Sequence, residues 1–501
     1  MTRACGFLVR CVALWAVCAC AHAQFLPVHS DSLDSRILAQ KRALEVYLPE
    51  ESARDPAQKY ETIYVLDGDW NTKIVVQIVS FMRQVGFMPP VIVVSVPNFF
   101  DDKGINSRDH DLTPTVVVDQ QRSGGAAPFL SFLKSELVPY VDQHYPANGT
   151  HLVHGHSYGG LFLIYALMND PSLFDGYLVL DPAMGWDKHA LDAVIDSKLA
   201  ATPANGKAIY IAGRSGGAWE GMGIAGIEPI FQRRAPADLH WKISAYPDET
   251  HDSLKLKATY DALKFAYQGY TGGKIELVPE GGLLVKGKPM ILHVNSDRAP
   301  LHYTTDGSEP TAASPTLGET IAISDPENTR IKLLSNRGVF DRTIAHNLAS
   351  GSALAPDKGF AASDAWRYAF HPAAAWPITA ASRPFRSGST KGKVEAKLAG
   401  RDDFSGVIER NLAIPADGYY IFHVQAADQA TLTLSGKPLL DADGSKGRRE
   451  NSIVVPLQRG VYRTRLEFRH PTKTAGVELS VFQNHDGEER WWKNELFKVS
   501  D

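Results

Sequence analysis

The sequence predicts an α/β domain with a mostly parallel sheet and helices on both faces, followed by two all-β sandwich modules. Three observations carry this. From about residue 40 to 270, short apolar runs alternate with helical patterns, as in a buried parallel sheet. After Tyr270 the pattern changes to two-residue alternation broken by turn residues, with no convincing long helix. A second seam, Ala349 to Ala362, is rich in Ala, Ser, Gly and Pro. The resulting layout is an export segment at 1–23, the α/β domain at 24–270, and β-sandwiches at 274–350 and 358–501.

The expected parallel strands are Thr62 to Leu66, Val91 to Val96, Leu152 to His154, Tyr177 to Leu180, Ala208 to Ala212 and Trp241 to Tyr246. Phe129, Phe132, Leu133, Leu137, Tyr140 and Val141 share a helical face, and Pro139 should kink or shorten that helix. Beyond the first seam, Ile291 to Val294 and Ile331 to Leu334 alternate as strands. Tyr419 to Gln425, Ala430 to Leu434, Ser452 to Leu457, Tyr462 to Arg469 and Val477 to Phe482 are spaced as in a sandwich.

Composition narrows the chemistry. All four cysteines of the 501 residues lie within the first 20 positions. That excludes a thiolate metal site, a cysteine nucleophile and a disulfide framework from the body of the chain. Lysine plus arginine number 52 against 56 acids, a balance unlike a dedicated nucleic-acid binder. Arg3 and Arg10, the apolar run Phe7 to Val17 and Ala21-His22-Ala23 read as a secretory signal, with Gln24 as the mature N-terminus. The expected location is periplasmic or extracellular, without a transmembrane segment; a competing reading acylates Cys20 as a lipoprotein.

Gly155-His156-Ser157-Tyr158-Gly159-Gly160 follows a strand and precedes a helix-compatible run, the context of a nucleophile elbow. Glycines let the strained turn pack closely, while the helix N-terminus favours developing negative charge. Gly213-Arg214-Ser215-Gly216-Gly217 fits the same pattern but reads as a loop, being followed by too much glycine to open a helix. With Ser157 as nucleophile, the chain order serine, acid, histidine selects His251 after the last strand. Glu220 follows the penultimate strand and is the expected acid; Asp187 and Asp248 are weaker choices. The oxyanion hole should combine the backbone N–H groups of Tyr158 and Asp69. His154 and His156 are expected on opposite faces of their strand, and neither a metal nor a cofactor is expected. Trp70, Trp186 and Trp219 fall at the same sheet edge, where they would line a pocket or simply pack.

Residues 40–270 resemble the esterase D-like family of α/β-hydrolases, through Tyr64-Val65-Leu66-Asp67-Gly68, the segment Arg108 to Pro114, the elbow and His251. That family includes siderophore, feruloyl and acetylxylan esterases, S-formylglutathione hydrolases and mycolyltransferases. The Arg108 to Pro114 segment is most similar to the enterobactin-type siderophore esterase branch, in which a Ser–His dyad can suffice. The need for Glu220 therefore stays open. Residues 275–348 resemble the C-terminal β-sandwich of chitobiases through His302 to Thr311. Residues near 360–490 resemble the protective-antigen-type sugar-binding module through Gly418 to Phe422 and Ala427 to Leu432. Ala427-Asp428 stands where that module has paired calcium-binding aspartates.

Three functions compete. The first is an exported serine esterase using an acyl-enzyme, held against a polysaccharide by its β modules and cleaving acetyl or feruloyl esters of glycans. The second is a siderophore esterase, with Arg108, Arg214, Arg233 or Arg234 recognising an anionic substrate. The third is a non-catalytic carbohydrate-binding protein on a hydrolase scaffold. Acyl transfer in place of hydrolysis is open in the first two.

Overall fold

The computed structural model describes residues 25–499, apart from 121, 205, 271–274, 296–300, 392–393, 395, 445–449, 471–475 and 485–494. The export segment, Gln24, Cys20 and Thr271-Gly272-Gly273 lie outside the described residues. The chain divides into two compact units. Among the described residues, one holds those up to 270 together with Ser335–Phe340, and the other holds those from 275 to 334 and from 341 onward.

The first unit is an eight-stranded sheet: β1 (His29–Ser35), β2 (Gln40–Tyr47), β3 (Tyr60–Leu66), β4 (Val91–Val96), β5 (Ala147–His156), β6 (Gly176–Leu180), β7 (Ala208–Arg214) and β8 (His240–Tyr246). Their order across the sheet is β1-β2-β4-β3-β5-β6-β7-β8. β3 to β8 run parallel, and β1 and β2 form an antiparallel extension that hydropathy alternation did not reveal. β3 is buried along its whole length. Its Ile63 and Val65 face a core shared with the helices Gly68–Gln84 and Leu254–Ala266, while Tyr64 and Leu66 face Phe129, Phe162 and Phe231 on the other side. Both faces of the central strands are thus covered, which is why their sequences are apolar runs rather than alternations.

Pro139 does not break its helix. Ala126–Phe132 passes into a wider π turn, Leu133–Leu137, and continues as Val138–His144. Proline supplies no N–H for the preceding turn, and the wider turn accommodates that loss without ending the helix. The glycine-rich run read as a loop does form a short helix, Gly217–Gly221. Gly216 and Gly223 bracket it at φ 65° and 79°, conformations that favour glycine.

The second unit contains two six-stranded sheets and two smaller ones. One large sheet joins Gly281–Leu284 and Asn347–Ser350 to Glu450–Leu457, Gly418–Ala426 and Val477–Asn484. The segments expected as separate modules at 274–350 and 358–501 therefore share a sheet. The contact is close at Gly282, where a Cβ would lie 2.1 Å from the Val454 carbonyl oxygen. The seam between them is stitched as well. Leu354 donates its N–H to Pro456 and accepts the Tyr462 hydroxyl.

Ser335–Phe340 belongs to the first unit by its bonding. Arg337 is buried, donates Nη2–H to both Glu61 carboxylate oxygens (2.8 and 3.0 Å) and Nε–H to the Ala266 carbonyl, and lies over the Tyr267 ring. Removing one partner of a buried pair strands the other charge, which costs roughly 3–5 kcal/mol. Arg337→Met should lower the stability of the full chain by about that amount in urea unfolding. A chain ended at Tyr270, lacking Arg337, should be destabilised likewise.

Candidate active site

The C-terminal edge of the parallel sheet gathers the site. β5 ends at His156, and Ser157 follows at φ 60° and ψ −116°, directly before the helix Tyr158–Asn169. A non-glycine residue in that region is strained by about 1–3 kcal/mol and persists only where its surroundings hold it. Here the Ser157 N–H donates to Leu180 at 2.9 Å, and the Ser157 carbonyl accepts the Ala183 N–H at 3.2 Å. The glycines leave the necessary room. A Cβ on Gly155 would sit 2.6 Å from Gly159 backbone atoms, and one on Gly160 would sit 3.0 Å from Pro182.

His251 lies beyond β8 and donates Nδ1–H to Asp181 Oδ2 at 2.6 Å. Asp181 is the residue after β6 and has no solvent exposure. Burial pushes its carboxyl up, but hydrogen bonds from His251 and Arg214 outweigh this and hold it below the usual carboxylate range. An ionised carboxylate only accepts, so the His251 proton sits on Nδ1 and Nε2 is left as the basic nitrogen. The acid expected at Glu220 is corrected: Glu220 is exposed on Gly217–Gly221, and the carboxylate on His251 is Asp181. The nearby alternatives fare no better, since Asp187 and Asp248 make no hydrogen bond to His251 among the described residues. The signal for Asp181 was an acid immediately after an apolar strand. What hid it was the assumption that the acid follows β7.

His156 packs against His251, with ring centroids 4.3 Å apart and planes tilted by 42°, and donates Nε2–H to the His251 carbonyl at 2.8 Å. The opposite faces expected for the two histidines are corrected: residues two apart in a strand share a face, and buried His154 lies on the same side of β5 as His156, where it pairs with Thr259. Metal-ligand-type atoms of His156, Asp181 and His251 lie within 4.8 Å of one another. Hydrogen bonds already occupy the His156 Nε2, the His251 Nδ1 and the carboxylate.

Tyr158 and Asp69 occupy the first turns of Tyr158–Asn169 and Gly68–Gln84, where N–H groups have no carbonyl in their own helix. The two turns abut, since Asp67 Oδ2 lies 3.4 Å from where a Gly159 Cβ would stand. Arg108 locks this junction. It donates to both oxygens of buried Asp67 (2.7 and 2.9 Å), with its guanidinium between the rings of Trp70 and Tyr158. Trp70 is exposed, whereas Trp186 is buried, bonded to Thr115 and edge-on to Tyr158; Trp219 packs beside Gly213. Of the other arginines, Arg214 bonds Asp181, while Arg233 and Arg234 share exposed Asp196.

Residues 35–218 match the family model described as Putative esterase. Over this segment the chain is similar to that family. Models for the PA14 domain and the Fn3-associated segment match residues 390–489 and 291–339. A siderophore triacetylfusarinine C esterase of Aspergillus fumigatus is 33% identical over 97 residues, covering 18% of this chain and 33% of that protein. The ferri-bacillibactin esterase BesA of Bacillus subtilis is 24% identical over 189 residues, covering 34% and 64%. The chain thus spans less than two thirds of the length of these curated relatives. A solved IroE-like serine hydrolase from Shewanella oneidensis is 28% identical, with a TM-score of 0.43, over 48% of this chain and 79% of that one.

Two outcomes follow from this geometry. Asp181→Asn, which disturbs the His251 tautomer, should slow fluorophosphonate labelling of Ser157 by about 10³- to 10⁴-fold, while Glu220→Gln should leave it within about twofold. Burial above all pushes His154 and His156 down to about 3 from 6.5. Between those values the unfolded chain binds protons that the folded one does not, so their stabilisation is complete above pH 6.5 and is lost as pH falls toward 3. Urea unfolding should show stability dropping from pH 7 to pH 5, with each histidine contributing up to about 1.4 kcal/mol per pH unit.

Proposed function

We propose that this chain is an exported serine hydrolase that cleaves carboxylic esters through an acyl-enzyme. The observation that carries the reading is the strained Ser157 turn on the sheet edge where Asp181 bonds His251. In this mechanism His251 Nε2 takes the Ser157 hydroxyl proton as the oxygen attacks the ester carbonyl, then returns it to the leaving alcohol. Asp181 holds the ring and balances its transient positive charge. The Tyr158 and Asp69 N–H groups receive the oxyanion, each worth about 3 kcal/mol in the transition state. Water, activated by the same imidazole, then releases the acid; with an alcohol in its place the outcome is acyl transfer.

For substrate we favour a siderophore ester, ahead of the glycan ester that domain company first suggested. Two curated relatives are siderophore esterases by name, and two more are named as a ferri-bacillibactin esterase and an apo-salmochelin esterase. Arg108 and Arg214 are spent largely on Asp67 and Asp181, so an anionic substrate would meet cations already partnered. The PA14 match at 390–489 favours the glycan alternative, with the second unit binding polysaccharide. Calcium-dependent sugar binding is disfavoured there, because the Asp428 carboxylate already has the Arg469 guanidinium 3.7 Å away. Export rests on the N-terminal 23 residues alone; N-terminal sequencing of the secreted chain should begin at Gln24, and intact mass would reveal acylation at Cys20.

Ser157→Ala should abolish both fluorophosphonate labelling and p-nitrophenyl ester cleavage. A wild-type chain that does neither would leave the scaffold reading standing. In a panel of ferric catecholate esters, acetylated xylan and feruloylated oligosaccharides, the catecholate esters should give the highest kcat/KM. Preference for a glycan ester would reverse the substrate assignment.

A further inference from the structure

The sequence leads to the expectation of an acid after the penultimate strand. Here that strand, β7, ends instead in a cation, Arg214. The sheet order β6-β7-β8 sets Arg214 between the strand ends that deliver Asp181 and His251. Its register is pinned on both sides. Leu180 pairs with Ala212 across β6 and β7, and Arg214 pairs with Tyr246 across β7 and β8. Asp181 donates its N–H to Ala212 at 2.7 Å. From this position the Arg214 Nε–H reaches Asp181 Oδ2 at 2.6 Å, and the Arg214 backbone N–H reaches Oδ1 at 3.3 Å. Oδ2 is the same oxygen that accepts His251 Nδ1–H at 2.6 Å.

We propose that Arg214 is a positioning residue for ester cleavage, orienting Asp181 toward His251 and thereby letting an acid from the end of β6 serve where β7 has none. The proposal rests on the serine-esterase reading above. Asp181 needs such a brace for two reasons. Its φ is 42°, a strained conformation for aspartate, and it is fully buried, so a missing donor cannot be replaced by bulk water. Arg214 also divides the carboxylate's charge between two partners. Without it the whole charge would face the imidazole and favour the protonated ring, so the base would be available only at higher pH. The other groups around the ring are accounted for. His156 from β5 packs against it at a tilt and is held neutral by burial; Asp252 pairs with Lys255 at 2.9 Å; Glu249 bonds Ser253 and lies 3.8 Å from Lys257. The competing role is direct substrate contact, since Arg214 Nη1 and Nη2 make no hydrogen bond among the described residues.

The test uses the full chain with Arg214→Met, Arg214→Lys, Asp181→Asn and the Asp181→Asn, Arg214→Met double variant, each checked for native thermal unfolding. kcat/KM is measured against pH on neutral p-nitrophenyl acetate and on an anionic catecholate ester. Arg214→Met should lose roughly tenfold on the neutral ester, and its acid limb should move up by about one pH unit. Arg214→Lys should recover part of both, and Arg214→Met should add less than about twofold in the Asp181→Asn background, as expected for residues acting as one unit. An unmoved acid limb with undiminished kcat/KM on the neutral ester would overturn the proposal. So would a loss confined to KM for the anionic ester that persists with Asp181→Asn, which would make Arg214 a substrate contact. If the wild type cleaves no ester, the esterase reading fails separately. The His251 Nδ1–H proton resonance then decides: unchanged between wild type and Arg214→Met, it refutes the positioning role; shifted or lost in Arg214→Met and retained in Arg214→Lys, it supports it.

Discussion

The parallel register of β5 through β8 is the constraint on which the site depends. His156 pairs with Leu180, Leu180 with Ala212, and Arg214 with Tyr246, so four consecutive strand ends finish along one edge. Ser157, Asp181, Arg214 and the segment carrying His251 follow from those ends. A slip of one residue in any pairing would turn the next side chain to the other face of the sheet and separate the carboxylate from the imidazole. Apolar burial on both faces of the strands holds the register, and the chemistry at the edge draws on it.

At that edge, unlike charges are used sparingly and nearly always paired. Asp181 and Asp67 are buried carboxylates, and each is held by an arginine together with a second donor, His251 for one and Asn98 for the other. Pairing keeps Asp181 ionised where burial alone would favour the neutral acid. His156 works the opposite way: burial keeps it uncharged, so it can pack beside His251 without opposing the positive charge that ring would acquire. Arg108 adds a mechanical role, since its bidentate bond and two aromatic neighbours tie the Asp67 turn to the elbow helix. The Arg108 to Pro114 segment is thus largely scaffolding for the junction: Asp111 pairs with buried Arg42, and Thr113 closes its own turn on Asp109.

In the β-rich unit, local pattern was an accurate guide to strands and a poor one to domains. The expected run Tyr462 to Arg469 sits inside Gly460–His470, and Ile331 to Leu334 nearly coincides with Arg330–Leu333. Two-residue alternation reports one buried face and is written locally. Which strands share a sheet is not. Gly281–Leu284 lies parallel to Glu450–Leu457, about 170 residues away, and nothing in either segment names the other. Likewise Arg337 lies in a stretch that reads as part of a β module but bonds Glu61 in the esterase-type unit.

The sequence by itself determined the alternating α/β layout, the absence of thiol chemistry and the elbow at Ser157. Each depends on composition or on neighbours within a few residues. Glycines at 155, 159 and 160 signal a tight strand-to-helix turn wherever the chain goes afterwards. Only the tertiary structure decided the acid. Glu220 and Asp181 both follow a parallel strand and both lie between Ser157 and His251, so chain order does not choose between them. The choice turns on which carboxylate the sheet edge buries beside His251, some 70 residues further along the chain from Asp181. That proximity comes from strand order and register, through hydrogen bonds between segments remote in sequence, so no local pattern encodes it.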